Sequence, residues 1–184
     1  MKYGVILARF QPVHQGHMAL INKACSENDK VILLVGSADK FNERNPIPLN
    51  FRIQMLEEAL FEYGLSEKCI IKPFNDLTNE SDNSLDWGFY MYANVVDIIK
   101  QSDFTIYYSD GYEIITTWFP GYILREFVSL SLLARGRVAD GVSATKVRKA
   151  ILTGDPELER MVPTSVLNNI KILKTFIELS KNKK

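Results

Sequence analysis

Short, unbroken apolar runs alternate along this chain with stretches in which apolar residues recur at helical spacing. The first pattern suits strands buried on both faces, and the second suits helices packed through one side. Their alternation predicts a parallel sheet with crossover helices. Tyr3–Ala8, Lys30–Gly36, Cys69–Pro73, Phe104–Tyr108 and Phe127–Leu133 read as five strands. Gly16–Asn28 reads as a helix with Leu20, Ile21 and Ala24 inward. Asn50 is placed to cap a second helix that carries Ile53, Leu56, Leu60 and Tyr63 on one face and ends at Gly64. Helices over Asp86–Gln101, Ala144–Thr153 and Val166–Ser180 complete the set. The expected fold is α/β, a doubly wound five-stranded parallel sheet. It forms one domain over residues 1–184, with 154–184 a C-terminal helical extension packed on it.

Two connections, Ala38–Leu49 and Asn75–Leu85, are longer and more polar than a strand-to-helix turn needs. Both leave the same sheet edge, the carboxyl edge, where long loops usually build a binding site.

Composition narrows the classes. At 184 residues, 46% hydrophobic and 24% charged, the chain is a globular domain with one core. Its 22 basic and 22 acidic residues give no excess of positive charge, which argues against nucleic acid as a partner. No apolar run approaches the roughly 20 residues of a membrane span. The first residues enter a strand pattern with no cleavage signal. Cys25 and Cys69 are isolated, as reduced core thiols of a cytoplasmic protein would be.

The candidate chemistry sits in two places. The only histidines, His14 and His17, flank Gln15-Gly16 directly after the first strand. Two imidazoles at the positive end of a helix can donate to phosphate oxygens, and Gly16 removes a Cβ that would block approach. The second place is Gly141-Val142-Ser143-Ala144-Thr145-Lys146-Val147-Arg148-Lys149. Here Ser143 opens a helix, yet Lys146, Arg148 and Lys149 follow in its first turns. Unpaired cations there oppose the helix dipole, and a bound anion reverses that sign. Arg52, at the start of the second helix, repeats the theme, and Arg44 lies in the polar loop before it.

His14-x-Gly16-His17 and Ser143-x-Thr145-x-x-Arg148 resemble the HxGH and (S/T)xTxxR motifs of the nucleotidyltransferase superfamily. The longer run Arg9-Phe10-Gln11-Pro12-Val13-His14-Gln15-Gly16-His17 is similar to the GRFQPxHxGH of archaeal-type nicotinamide mononucleotide adenylyltransferases. Arg44-Asn45-Pro46 and Arg52-x-x-x-Met55-Leu56 are similar to that family's R(N/D)P and ERxxMI segments. Asp76 and Trp87 resemble the acidic residue and tryptophan that take its nicotinamide nucleotide. The likeness runs from Tyr3 to about Thr153. Ala8 stands for the family's first glycine and Phe51 for the glutamate before Arg52. Extra residues separate Asp76 from Trp87, Ser84 replaces an asparagine, and Tyr108–Arg137 matches poorly. These departures bear on the acceptor half, not the nucleotide half.

The resemblance implies a Rossmann-like fold and a reaction in which a substrate phosphate attacks the α-phosphate of ATP in line. Pyrophosphate leaves, and Mg²⁺ travels with the ATP. It implies catalytic roles for His14, His17 and Arg148. It implies nucleotide binding by Arg9, Phe10, Gln11, Gly16, Gly36, Ser37, Ser143, Thr145 and Lys146, and acceptor binding by Arg44, Arg52, Asp76 and Trp87. The partners implied are ATP and a small phosphorylated acceptor. Members of the family often form homo-oligomers, and an open sheet leaves edges to pair. Zinc binding fails for want of further ligands near the histidines. A serine hydrolase lacks its GxSxG, and a dinucleotide oxidoreductase lacks its GxGxxG. Class I aminoacyl-tRNA synthetases share the histidine motif, but this chain has no room for an anticodon domain. Other acceptors (FMN, phosphopantetheine, a phosphorylated alcohol), CTP as donor, and a nucleotide sensor without turnover are the alternatives.

Overall fold

The computed structural model describes residues 1–78, 84–133 and 141–182. Five parallel strands, β1 (Tyr3–Ala8), β2 (Lys30–Val35), β3 (Cys69–Pro73), β4 (Phe104–Ser109) and β5 (Val128–Leu133), pair in the order β3-β2-β1-β4-β5. Helices α1 (Gln15–Glu27), α2 (Leu49–Glu62) and α3 (Leu85–Ile99) cross over between them. A 3₁₀ turn (Glu113–Thr117) and α4 (Gly121–Glu126) lead into β5, and α5 (Ala144–Thr153), α6 (Leu158–Met161), α7 (Thr164–Leu167) and α8 (Ile170–Ser180) follow it. This is the doubly wound α/β architecture.

Strand side chains alternate between two apolar layers. Ile6, Val31, Leu33 and Val35 face α1, α2, α5 and α8, together with Leu158, Val162 and Val166 of the C-terminal segment. Val5, Leu7, Ile32 and Leu34 face α3, the 3₁₀ turn and α4. Burial on both faces is what the unbroken Val/Ile/Leu runs require.

Three expectations are corrected. Helix α2 starts at Leu49 with Pro48, not Asn50, in the capping position; the Pro48 carbonyl accepts Arg52 N–H at 3.1 Å. Proline fits there because its missing N–H would have no helical partner. The expected helix over 166–180 is broken into α7 and α8 at Asn168 and Asn169, where Asn169 Nδ2 bonds the Ser165 carbonyl at 2.8 Å. An asparagine that bonds nearby backbone competes with the helical ladder. Segment 113–126, which showed no clear pattern, holds the 3₁₀ turn and α4. Cys25 and Cys69 are free thiols whose Sγ atoms meet at 3.6 Å.

Candidate active site

A cavity of about 620 Å³ opens at the carboxyl edge of the sheet, where strand order reverses between β1 and β4. Crossovers on either side of such a reversal leave on opposite faces, so a crevice forms between them.

The turns after β1 and β2 make its floor. Arg9, Phe10 and Gln11 follow β1, and Gly36 and Ser37 follow β2. Each turn holds a non-glycine residue in the left-handed region, Phe10 at φ 50° and Ser37 at φ 48°. That conformation costs about 1–2 kcal/mol per residue and persists only where surrounding bonds dictate it. Gln11 supplies two of those bonds. Its Oε1 accepts Ile47 N–H at 2.9 Å and its Nε2 donates to the Ile47 carbonyl at 3.3 Å, strapping the 38–49 loop to the β1 turn.

His14 caps α1, and the capping is mutual. His14 Nδ1 accepts His17 N–H, and His17 Nδ1 accepts His14 N–H, both at 3.3 Å. The rings stack with centroids 3.7 Å apart. Because each Nδ1 accepts a backbone proton, each neutral ring carries its own proton on Nε2. The pair therefore brings two parallel N–H donors to the cavity that both rings line. Gly16 eases the stack: a Cβ there would lie 3.1 Å from the His14 ring and press on it.

The facing wall is the start of α5. Ser143 Oγ caps it by accepting Lys146 N–H at 3.3 Å. Arg148 Nη1 donates to the Gln11 carbonyl at 2.8 Å and Nη2 to Thr145 Oγ1 at 3.4 Å. Burial and, secondarily, the charge of Arg9 hold the Arg148 guanidinium below its ordinary pKa. A bound anion relieves both. Imidazoles and guanidinium thus meet across one cavity.

At the other end lie Asp76 and Trp87. Asp76 Oδ1 accepts the Ser37 hydroxyl at 3.1 Å. Its carboxyl titrates above the usual range because burial outweighs that bond, with the neighbouring Asp39 charge adding to the rise. Trp87 is buried, stacked on Trp118 with centroids 5.5 Å apart, and its Nε1 donates to Thr78 Oγ1 at 3.3 Å.

Most predicted site residues line the cavity: the β1 and β2 turns, both histidines, Gly16, Arg44, Asp76, Trp87, Ser143, Thr145 and Arg148. Two do not. The Lys146 side chain is exposed and its Nζ lies over Gly141. Arg52 is completely buried beneath the floor. Its Nη1 donates to the carbonyls of Arg9 and Gly36, both at 2.8 Å, and its Nη2 to that of Ser37 at 3.0 Å. Burial, reinforced by Arg9, lowers its pKa to about 10. Lining residues not predicted include Lys40 and Asn42 in the first long loop, Tyr108 and Ser109 at the end of β4, and Tyr112 just after it. Their signal was position: β4 neighbours β1 at the reversal of strand order.

Among the described residues, no group of three or more His, Cys, Asp or Glu side chains is arranged to hold a metal, and Asp76 is the only carboxylate on the cavity wall. That donor set suits a divalent ion carried in on a nucleotide's phosphate oxygens, where it would offset their charge.

Comparison with known proteins agrees with this fold. The Cytidylyltransferase-like family matches residues 5–150. A nicotinamide-nucleotide adenylyltransferase of Thermococcus onnurineus is 31% identical over 94% of this chain and 84% of its own length. The enzyme of that name from Pyrobaculum neutrophilum is 33% identical over 94% of this chain and 89% of its own. Among solved structures, a bifunctional NMN adenylyltransferase/ADP ribose pyrophosphatase from Francisella tularensis, complexed with AMP and a manganese ion, superposes with a TM-score of 0.73 at 21% identity. The match covers 97% of this chain and 52% of that one, so the chain spans about half of the bifunctional protein. The NadR protein in complex with NAD and AMP-PNP superposes with a TM-score of 0.60 at 20% identity, over 90% of this chain and 45% of its own. With its motifs, its fold and its relatives in agreement, the chain belongs to the Cytidylyltransferase-like nucleotidyltransferases and, within them, to the nicotinamide-nucleotide adenylyltransferase family.

Proposed function

We infer that the chain transfers AMP from ATP to nicotinamide mononucleotide, forming NAD and pyrophosphate. The observation that carries this reading is the convergence of the stacked His14–His17 pair and Arg148 on one cavity, with Asp76 and Trp87 at its other end.

In this reading a phosphate oxygen of the mononucleotide attacks the α-phosphorus of ATP, and the bond to the β-phosphate bridging oxygen breaks as pyrophosphate leaves. Neither step demands a protein acid or base. The protein positions the two phosphates and stabilises charge on the non-reacting oxygens. His14 and His17 Nε2–H donate to the triphosphate beside the reacting phosphorus, while Arg148 and the hydroxyls of Ser143 and Thr145 hold the departing phosphates. Arg9 and Arg44 add charge along the path, the Phe10 and Gln11 backbone and Gly36 floor it, and Gly16 keeps the histidine turn open. Lys146, exposed in this structure, acts on the phosphates through charge alone. Mg²⁺ enters as part of the ATP substrate and neutralises phosphate oxygens. Ser37 floors the nucleotide path beside Gly36, Asp76 takes polar groups of the acceptor, and Trp87 meets its cationic pyridinium ring. One domain carries all of this, with α6 and α8 of the C-terminal extension packed against α5.

The balanced charge gives no hold for nucleic acid, and among the described residues no helix is long and apolar enough to cross a membrane. A cytoplasmic homo-oligomer belongs to the reading; sedimentation of the purified chain tests the assembly. The decisive assay supplies ATP, Mg²⁺ and nicotinamide mononucleotide and follows NAD and pyrophosphate. Parallel arms replace the acceptor with FMN or phosphopantetheine and ATP with CTP. Pyrophosphate release in one of those arms alone overturns the reading, as does tight ATP binding with no release in any.

A further inference from the structure

Among the described residues Arg52 is the largest buried charged side chain, and it faces three backbone carbonyls instead of a carboxylate. Two of these acceptors, Arg9 and Gly36, immediately precede Phe10 and Ser37, the two left-handed residues of the cavity floor; the third is Ser37 itself. In a trans peptide the carbonyl and the next N–H point in opposite directions. Drawing the Arg9 and Gly36 carbonyls down onto the guanidinium therefore turns the Phe10 and Ser37 N–H groups the other way. Ser37 gives its hydroxyl to the Asp76 carboxylate at 3.1 Å, and its backbone N–H also favours that group's ionised form. A single planar head thus sets the β1 turn, which leads through Gln11 to Arg148, and the β2 turn, which leads through Ser37 to Asp76.

We propose that Arg52 is the positioning residue that holds the nucleotide and acceptor halves of this site in register, acting through the Arg9, Gly36 and Ser37 carbonyls and not by touching substrate. The proposal rests on the functional reading above. A guanidinium fork fits the task, since one head must reach three carbonyls at once, two through Nη1 and one through Nη2. A lysine keeps the charge and loses that fork.

The test is Arg52→Lys, measured beside wild type for NAD formation, for ATP affinity and stoichiometry by calorimetry, and for thermal unfolding. The two turns shift by about an ångström while the cationic wall stays intact. Such a displacement costs on the order of 100-fold in turnover. The expected result is a folded variant that binds one ATP with a Kd within about threefold of wild type and loses about 100-fold in kcat, the signature of a contact realised only in the transition state. A folded variant with kcat within about threefold overturns the proposal. So does a loss of kcat matched by an equal loss of ATP stoichiometry, which reports fewer folded molecules and nothing about register. If the lysine variant does not fold, Arg52→Gln, with a planar two-donor head, is read by the same measurements. Failure of both to fold assigns Arg52 to the fold alone and overturns the proposal. Absence of NAD from wild type sinks the functional reading instead, together with the reaction that Arg52 would serve.

Discussion

His14 and His17 each accept the other's backbone N–H through Nδ1, at 3.3 Å in both directions, while their rings stack with planes 21° apart. One pair of side chains therefore starts a helix and aims two donors, and the two jobs can be separated. Asparagine is among the best capping residues but offers no imidazole. His14→Asn should keep stability within about 0.5 kcal/mol of wild type, whereas His14→Ala should lose about 1 kcal/mol with the cap. Both should lose on the order of 10²- to 10³-fold in kcat, the usual effect of deleting one donor to a developing charge. Paired melts and turnover measurements check this; an active asparagine variant removes His14 from the chemistry.

Asp76 illustrates a conflict between folding and binding. Its folded-state pKa lies above the ordinary carboxylate value, chiefly through burial. The folded protein therefore binds more protons than the unfolded chain between those two values, and this group's contribution to stability falls as pH rises through that window. At neutral pH the ionised form is a net cost. Asp76→Asn should consequently raise or preserve the melting temperature there while lowering kcat/KM for the acceptor. In wild type, acceptor kcat/KM should begin to fall at a pH above that at which an ordinary aspartate protonates. A variant that melts lower and works normally contradicts both halves.

Trp87 lines the cavity and spends one face on Trp118. Trp87→Phe keeps an aromatic ring but shortens it and removes the Nε1–H bond to Thr78. Weakening a cation–π contact worth about 0.5–2 kcal/mol without removing the ring predicts a rise in acceptor KM of at most about 30-fold, with the KM for ATP changed less than about twofold. Initial-rate kinetics in both substrates decide it, equal effects marking the tryptophan as structural.

Gly88, next to that tryptophan in α3, allows a close approach with no slack. A Cβ there would sit 1.9 Å from the Trp118 carbonyl oxygen, a backbone atom that cannot swing aside. Overpacking against side chains costs about 1–3 kcal/mol, and against backbone the cost reaches the top of that range or beyond. Gly88→Ala should lower the unfolding midpoint accordingly and reduce acceptor affinity through the displaced tryptophan pair. A denaturant melt with no shift in midpoint would show that α3 can slide.

The strands were readable because burial on both faces leaves an unbroken apolar run, as in Val31–Val35, too short for a helix of ordinary length. The histidine turn and the α5 start were readable because their chemistry is local: a cap, a glycine, a cation near a helix end. Arg52 was misread for an instructive reason. From the chain alone, an arginine in the first turn of a helix looks like an unpaired cation seeking an anion. Its true partners are carbonyls at Arg9, Gly36 and Ser37, which only the folded sheet brings under one side chain. The break at Asn168–Asn169 was hidden by apolar spacing that continues across it. Tyr108 closes a strand that the apolar run predicts, but nothing local marks it or Tyr112 as lining a site, and strand order alone brings them to the cavity.

The bond from Arg148 to the Gln11 carbonyl joins positions 137 residues apart. Such distant closure is slow to form, because the intervening loop must lose its freedom first. Turnover is accordingly a late reporter of maturation, silent until the chain's two remote thirds have met. A ligand that grips both walls acts as a clasp on the whole molecule, raising the barrier to global opening while leaving the fraying of the last helix untouched.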